Sequence, residues 1–239
     1  MLPPEKDKDG KELLHMAPST SDVREQIKSR ITRIDREFLE AFEFITNFPR
    51  SVTFFGSSRF HEDNEHCVKA RRLAGKIAKE LGYTILTGGS AGIMEAANRG
   101  AFEAGGESVG LNIRLPKEQG GNKYTTASID FSHFFVRKVA LSYAAEAYIF
   151  FPGGFGTLDE FFEVITLIQT HKIRRVPIFL VGKDYWEPLD RFIRDNLYAI
   201  HQAVSKSDLL LYRITDDEEE IAEAIRTVPI HDGITHRRP

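Results

Sequence analysis

At 239 residues and 27.1 kDa, the chain has the size of one large domain, or of one domain with an extension. Its 41% hydrophobic and 28% charged residues exclude wholesale disorder, and a net charge of −3 argues against nucleic acid or an anionic membrane as the main partner. A single cysteine, Cys67, excludes an intramolecular disulfide and a thiolate metal cage. No secretory segment follows Met1, and the longest apolar runs, such as Ala144–Phe151 with Glu146 inside it, are too short to span a bilayer. The expectation is a cytoplasmic protein with no nucleic-acid and no membrane partner.

Residues 1–20, with Pro3, Pro4 and Pro18 among mixed charges, read as a disordered tail. Over 21–48, Val23, Ile27, Ile31, Ile34, Phe38, Phe42 and Ile45 fall on one stripe of an amphipathic helix that Pro49 stops. Asp22 and Glu25 stand in capping-box register at its start. That stripe is expected to be buried, against its own domain or in a subunit interface.

From residue 50 to 228, strand and helix patterns alternate. Strands are expected at Val52–Gly56, Tyr83–Thr87, Ser108–Ile113, Ala147–Phe151, Val176–Val181 and Leu209–Tyr212. Helices are expected through Val68–Leu81, Ile93–Glu103, Val136–Ala144, Leu158–Gln169, Trp186–Leu197 and Asp216–Thr227. Asn112–Phe131 reads as a long loop, and 229–239 as a tail. The fold class is therefore α/β: a Rossmann-like, doubly wound parallel sheet with helices on both faces and an N-terminal helical extension, the sheet forming a single domain.

Ligands of open parallel sheets sit at the carboxyl ends of the strands. Three of those ends are rich in small residues: Gly56-Ser57-Ser58-Arg59, Thr87-Gly88-Gly89-Ser90-Ala91-Gly92 and Pro152-Gly153-Gly154-Phe155-Gly156-Thr157. Each leads into a helix whose first amides and dipole favour an anion, and glycine lets the backbone come close to it. None is a Walker loop or a GxGxxG fingerprint. Tight βα turns would favour glycine as well, but three such loops in one sheet point to a phosphate-bearing ligand.

Thr157-x-x-Glu160 has the form of a capping box, which would make Glu160 helix punctuation. The same position puts a carboxylate beside the expected phosphate, which is costly unless a cation or a reaction requires it. Arg137 and Lys138 are candidate cations, or else a solvated helix start. Glu95 after the second loop invites the same two readings as Glu160.

Pro152-Gly153-Gly154-Phe155-Gly156-Thr157-Leu158-Asp159-Glu160, with Arg137-Lys138 upstream, resembles the PGGxGTxxE motif and Arg-Lys pair of the Lonely Guy (LOG) family. Gly88 to Asn98 is similar to that family's GGGxxGxMEAAN loop, with Ser90-Ala91 as a departure, and Gly56-Ser57-Ser58 to its first strand end. Leu115–Gln119, Asn122 and Tyr124 are similar to a segment of longer bacterial members.

The resemblance implies hydrolysis of the N-glycosidic bond of a nucleoside 5′-monophosphate, AMP or an N6-modified AMP, by a homodimer or larger homo-oligomer. Glu160 and Arg137 would be catalytic. Gly56, Ser57, Gly88, Gly89, Ser90, Glu95, Lys138, Gly153, Gly154, Gly156 and Thr157 would bind substrate. No cofactor and no metal are expected: no pyridoxal-phosphate lysine is recognisable, and His61, His66, His133 and His171 lack ligand spacing. The rival is a non-catalytic nucleotide or molybdenum-cofactor carrier on the same fold.

Overall fold

The computed structural model describes residues 20–114 and 121–228. It divides into two compact units, residues 1–37 and 38–239. In the first, the described residues form the leading part of helix α1 (Thr20–Ile45), where Val23, Ile27 and Ile31 are exposed. In the second, the end of α1 does bury its stripe: Ala41 and Ile45 are buried, the Phe38 ring packs on Phe135 at a tilt with 6.3 Å between centroids, and Phe42 meets Tyr143 edge-on at 6.0 Å. The helix closes at Ile45, before Pro49, where Thr46 Oγ1 and Asn47 Nδ2 donate to the free carbonyl of Glu43. Within the second unit it is thus the C-terminal part of the stripe that is buried.

The second unit alternates as the apolar runs dictate. β1 (Ser51–Phe55), α2 (Glu65–Lys76, continued by a π-helical turn to Leu81), β2 (Thr84–Thr87), α3 (Ile93–Glu103) and β3 (Ser108–Ile113) come first. There follow β4 (Ala127–Phe131), α4 (Phe134–Tyr143), β5 (Ala147–Phe150), α5 (Phe155–Gln169), β6 (Ile178–Leu180), α6 (Lys183–Phe192, continued as a π-helix to Ile200), β7 (Arg213–Ile214) and α7 (Glu218–Arg226). All seven strands are parallel, in the order β4-β3-β2-β1-β5-β6-β7. The chain winds outward from β1 in one direction, then returns to β5 and winds outward in the other. The sheet is the doubly wound one expected, and its direction reverses between β1 and β5, the place at which ligands of such sheets bind.

Both faces are covered. Val52, Phe54, Ile149 and Phe151 point into a core shared with Leu73, Ile77, Ala97 and Ile221. On the other face Phe55 stacks on Phe150 at 4.8 Å, and Phe150 meets the buried Phe161 edge-on at 5.6 Å. Phe161 in turn packs on Trp186 and Tyr212 at 5.5 and 5.4 Å.

Two elements differ from the sequence expectation. The stretch expected as one loop contains β4, a parallel edge strand paired to β3 from Val109↔Ala127 to Ile113↔Phe131. Its alternate residues Ser128 and Asp130 face solvent, so only Ile129 and Phe131 carry an apolar signal. The strand expected at Leu209–Tyr212 lies instead at Arg213–Ile214, because Asp208 accepts from Ser205 N and Gln169 Nε2 and tightens Asp208–Leu210 into a 3₁₀ turn. Residues 1–19, 115–120 and 229–239, including most of both expected tails and Leu115–Gln119, lie outside the described residues. Among the described residues no helix is long and apolar enough to cross a membrane.

Phe161 joins the sheet to α5, α6 and the segment before β7, so Phe161→Ala should cost about 3–5 kcal/mol. Urea unfolding should show a lower midpoint at an unchanged slope. An unchanged midpoint would mean that the aromatic cluster does not hold these layers together.

Candidate functional site

The three glycine-bearing loops meet at the β1/β5 reversal, and the backbone of Ser57 joins them. Its N–H donates to Pro152 O and its carbonyl accepts from Ile93 N, each at 3.0 Å, while its Oγ accepts from Arg59 N. The glycines fall into two kinds. Gly56 and Gly153 are where they are because a side chain would strike a neighbour: Ile93 at 2.7 Å and Thr157 Oγ1 at 2.1 Å respectively. Gly154 and Gly156 face open space, so the start of α5 is unobstructed. No side chain caps that start, nor that of α3, which leaves first-turn amides for a ligand. Tyr185, not foreseen from sequence, supports the third loop by donating from its hydroxyl to Gly153 O at 2.7 Å.

The capping-box reading of Glu160 does not survive. Helix α5 begins at Phe155 with Gly154 as N-cap, so Thr157 is its third residue and Glu160 lies a full turn further in. Glu160 is 9% exposed, and its Oε2 is buried with no hydrogen-bond partner. Burial is the main cause that pushes its carboxyl up to about 7, against the opposing pull of the Lys138 and Arg137 cations; Glu163 and Asp159 add to the rise. A carboxylate with no structural partner in such a place is a functional candidate.

Lys138 and Arg137, adjacent on α4, diverge. Lys138 Nζ lies 2.8 Å from both Asp159 and Glu163, the carboxylates flanking Glu160 on α5. The arrangement ties Lys138 to the protein rather than leaving its ammonium for a ligand. Arg137 runs under the second glycine loop, donating from Nε to Leu111 O at 2.7 Å and from Nη2 to Gly88 O at 3.2 Å. A Cβ on Gly88 would lie 2.1 Å from that Nη2, so this glycine makes room for the guanidinium.

Arg137, Gly88, Gly89 and Ser90 line a cleft of about 410 Å³ together with Asn112 and Asp130. Ser57, Glu95, Thr157 and Glu160 do not line it. Glu95 is half-buried in the first turn of α3, and Thr157 is buried against Gly153.

Asn98 holds the second loop from behind. Wholly buried, it accepts from Thr87 Oγ1 at 2.6 Å and Asn122 Nδ2 at 2.9 Å, and donates to Ser108 Oγ at 2.9 Å. Asn122 N donates onward to Gly89 O. Both asparagines belong to the sequence motifs, yet nothing in the sequence marked them as partners of each other.

The fold is that of a doubly wound α/β protein, with the candidate residues gathered at and beside the strand-order reversal. A family model described as "Possible lysine decarboxylase" matches residues 94–225, more than half of the chain. The probable cytokinin riboside 5′-monophosphate phosphoribohydrolase LOGL5 of Oryza sativa subsp. japonica is 32% identical over 161 residues, covering 66% of this chain and 63% of that protein. The cytokinin riboside 5′-monophosphate phosphoribohydrolase LOG2 of Arabidopsis thaliana is 30% identical, covering 62% and 70%, and a Rhodococcoides fascians enzyme of that name is 26% identical, covering 61% and 74%.

The chain belongs to this LOG family. Among solved structures, the Chlamydomonas reinhardtii molybdenum-cofactor carrier protein superposes with a TM-score of 0.53 at 23% identity, covering 75% of this chain and 97% of that one. The Streptococcus pneumoniae DNA processing protein A does so with 0.53 at 12% identity, covering 78% and 64%. These likenesses show the fold.

The family description implies pyridoxal phosphate, whose carrier would be a lysine amine in the site. No lysine is among the described residues lining the cleft, and Lys138 is held between two carboxylates that keep its ammonium protonated beyond the ordinary range. The described residues do not fit that cofactor.

The Glu160 carboxyl has a testable linkage. Below about pH 4.5 it is protonated whether the chain is folded or not. As pH rises from 4.5 to about 7 the unfolded chain ionises first, so the folded state is progressively destabilised. At roughly 1.4 kcal/mol per pH unit, Glu160→Gln should gain on the order of 3 kcal/mol over wild type above pH 7, and little below pH 4.5. Denaturant unfolding at pH 5 and pH 8 measures the gap, and a gap that does not change with pH contradicts the assignment.

Proposed function

We propose that the protein hydrolyses the N-glycosidic bond of a nucleoside 5′-monophosphate, AMP or an N6-modified AMP, to free base and ribose 5-phosphate. The observation that carries the reading is Glu160: a buried carboxylate with a partnerless oxygen, in the second turn after an open, uncapped helix start. The names of the LOG relatives support the same reaction class. A carrier needs an anion cradle, but it has no evident use for an unpaired acid beside it.

In this reading the amides at the start of α5, with Gly153, Gly154, Gly156 and Thr157, hold the 5′-phosphate, helped by Gly56, Ser57 and the α3 start at Glu95. Gly88, Gly89, Ser90 and Arg137 line the adjoining cleft and take the nucleoside. As the C1′–N bond breaks, positive charge builds on C1′ and the ring oxygen, and ionised Glu160 stabilises it. Water then forms the new C1′–O bond, and its proton ends on the departing base. Lys138 acts indirectly, neutralising Asp159 and Glu163 so that Glu160 can ionise near an anionic substrate. The same proposal includes a cytoplasmic location and a homo-oligomer. In support of the latter, Phe134 and Phe135 of α4 and Phe155 and Phe162 of α5 are exposed, Phe155 by 94%.

AMP and adenosine at equal concentration separate the phosphate-dependent reaction from nucleoside cleavage: adenine should appear from AMP alone. Glu160→Gln should retain ribose 5-phosphate binding while losing roughly 10²–10³ in rate. Because the ionised form is the active one, wild-type activity should fall as pH drops through about 7. Wild-type turnover in Glu160→Gln would remove this residue from the chemistry.

A further inference from the structure

The 410 Å³ cleft contains a mounted carboxylate that neither the sequence motifs nor the proposed chemistry uses. Asp130, on edge strand β4, is exposed and lines the cleft with Arg137. Its Oδ1 accepts from Asn112 Nδ2 at 3.0 Å across the β3–β4 pairing, in which the two residues stand opposite each other. A carboxylate only accepts, so the amide must turn its NH₂ toward Asp130 and its oxygen away.

That oxygen is buried with no hydrogen-bond partner and is packed among three glycines. A Cβ on Gly89 would lie 1.7 Å from it, one on Gly121 2.9 Å, and one on Gly110 3.1 Å. Asn112 is itself only 9% exposed. The glycines make room for a fixed amide, and the amide fixes the carboxylate. An exposed edge-strand aspartate has no structural need for such a mount, since solvent would satisfy it. Its other oxygen, Oδ2, has no partner among the described residues.

Resting on the nucleotide reading above, we infer that Asp130 is a specificity-determining residue: it accepts a hydrogen bond from a neutral donor on the bound nucleoside, with Asn112 as its positioning residue. A carboxylate repels phosphate, so the donor is the 2′-hydroxyl of the sugar or the exocyclic amino group of the base. Arg137 in the same cleft offsets the negative charge.

The test is equilibrium binding of AMP, 2′-deoxy-AMP and inosine 5′-monophosphate in the Glu160→Gln background, so that no turnover intervenes. It compares Asp130→Ala with the parent, and melting curves check the fold. Loss of one hydrogen bond to a charged group predicts a Kd for AMP raised by about 10- to 100-fold. The analogue lacking the donor should bind the parent more weakly and be indifferent to Asp130→Ala. Indifference of 2′-deoxy-AMP places the contact at the sugar, and indifference of the inosine nucleotide places it at the base amine. Asn112→Ala should weaken AMP in the same direction without changing the indifferent analogue.

An AMP affinity unaltered by Asp130→Ala, or a uniform loss across all three ligands, overturns the inference while leaving the hydrolase reading intact. Asp130-dependent AMP binding by a wild-type protein that releases no adenine leaves the inference standing and sinks the hydrolase reading. Absence of AMP binding overturns both.

Discussion

The site depends on one unfavourable arrangement, the burial of the Glu160 carboxyl with an oxygen that nothing satisfies. Helix α5 carries three carboxylates within two turns, Asp159, Glu160 and Glu163, close to a helix start suited to a further negative charge. Such a cluster is tolerable only because α4 supplies two cations. Lys138 engages the outer two carboxylates directly, and with Arg137 it lowers the proton affinity of the central one. Burial still outweighs them, so the carboxyl sits near neutrality instead of in its ordinary range. Poised in this way, Glu160 costs stability at the pH at which it would act, the exchange expected of a functional acid.

Placement of α4 and α5 follows from the winding of the sheet. Reversal between β1 and β5 brings the loops after β1, β2 and β5 together, and Ser57 joins them by backbone hydrogen bonds alone. A backbone junction of this kind tolerates side-chain change but not added bulk, hence the glycines at 56 and 153. Gly88 meets a different demand, the passage of Arg137 from α4 to the carbonyls of Gly88 and Leu111. The glycines of these loops thus serve packing at some positions and access at others, with open space beside Gly154 and Gly156.

Much of this was legible in the residues. Buried parallel strands such as Val52–Phe55 and Ala147–Phe150 announce themselves as unbroken apolar runs, and the glycine loops mark their ends. β4 escaped because an edge strand with one solvent face carries half the apolar signal, and its Gly-Gly-Asn approach reads as loop. β7 was displaced because Leu209 is buried by a turn that Asp208 closes, which mimics a strand's apolar spacing. Thr157 and Glu160 have capping-box spacing, yet the glycine before Phe155 lets the helix start earlier, and spacing alone could not reveal this. The partnerships of Asn98 with Asn122 and of Asn112 with Asp130 cross 24 and 18 residues of chain and depend on strand pairing, so no local pattern encodes them.

The state of the Glu160 carboxyl in the resting protein can be measured without any substrate. A ¹³C NMR titration of glutamate-labelled protein, with the Glu160 resonance assigned by its loss in Glu160→Gln, should give a midpoint near 7. A midpoint in the ordinary glutamate range, near 4.5, would mean that the carboxylate is solvated or paired in solution, and would contradict a buried acid poised for catalysis.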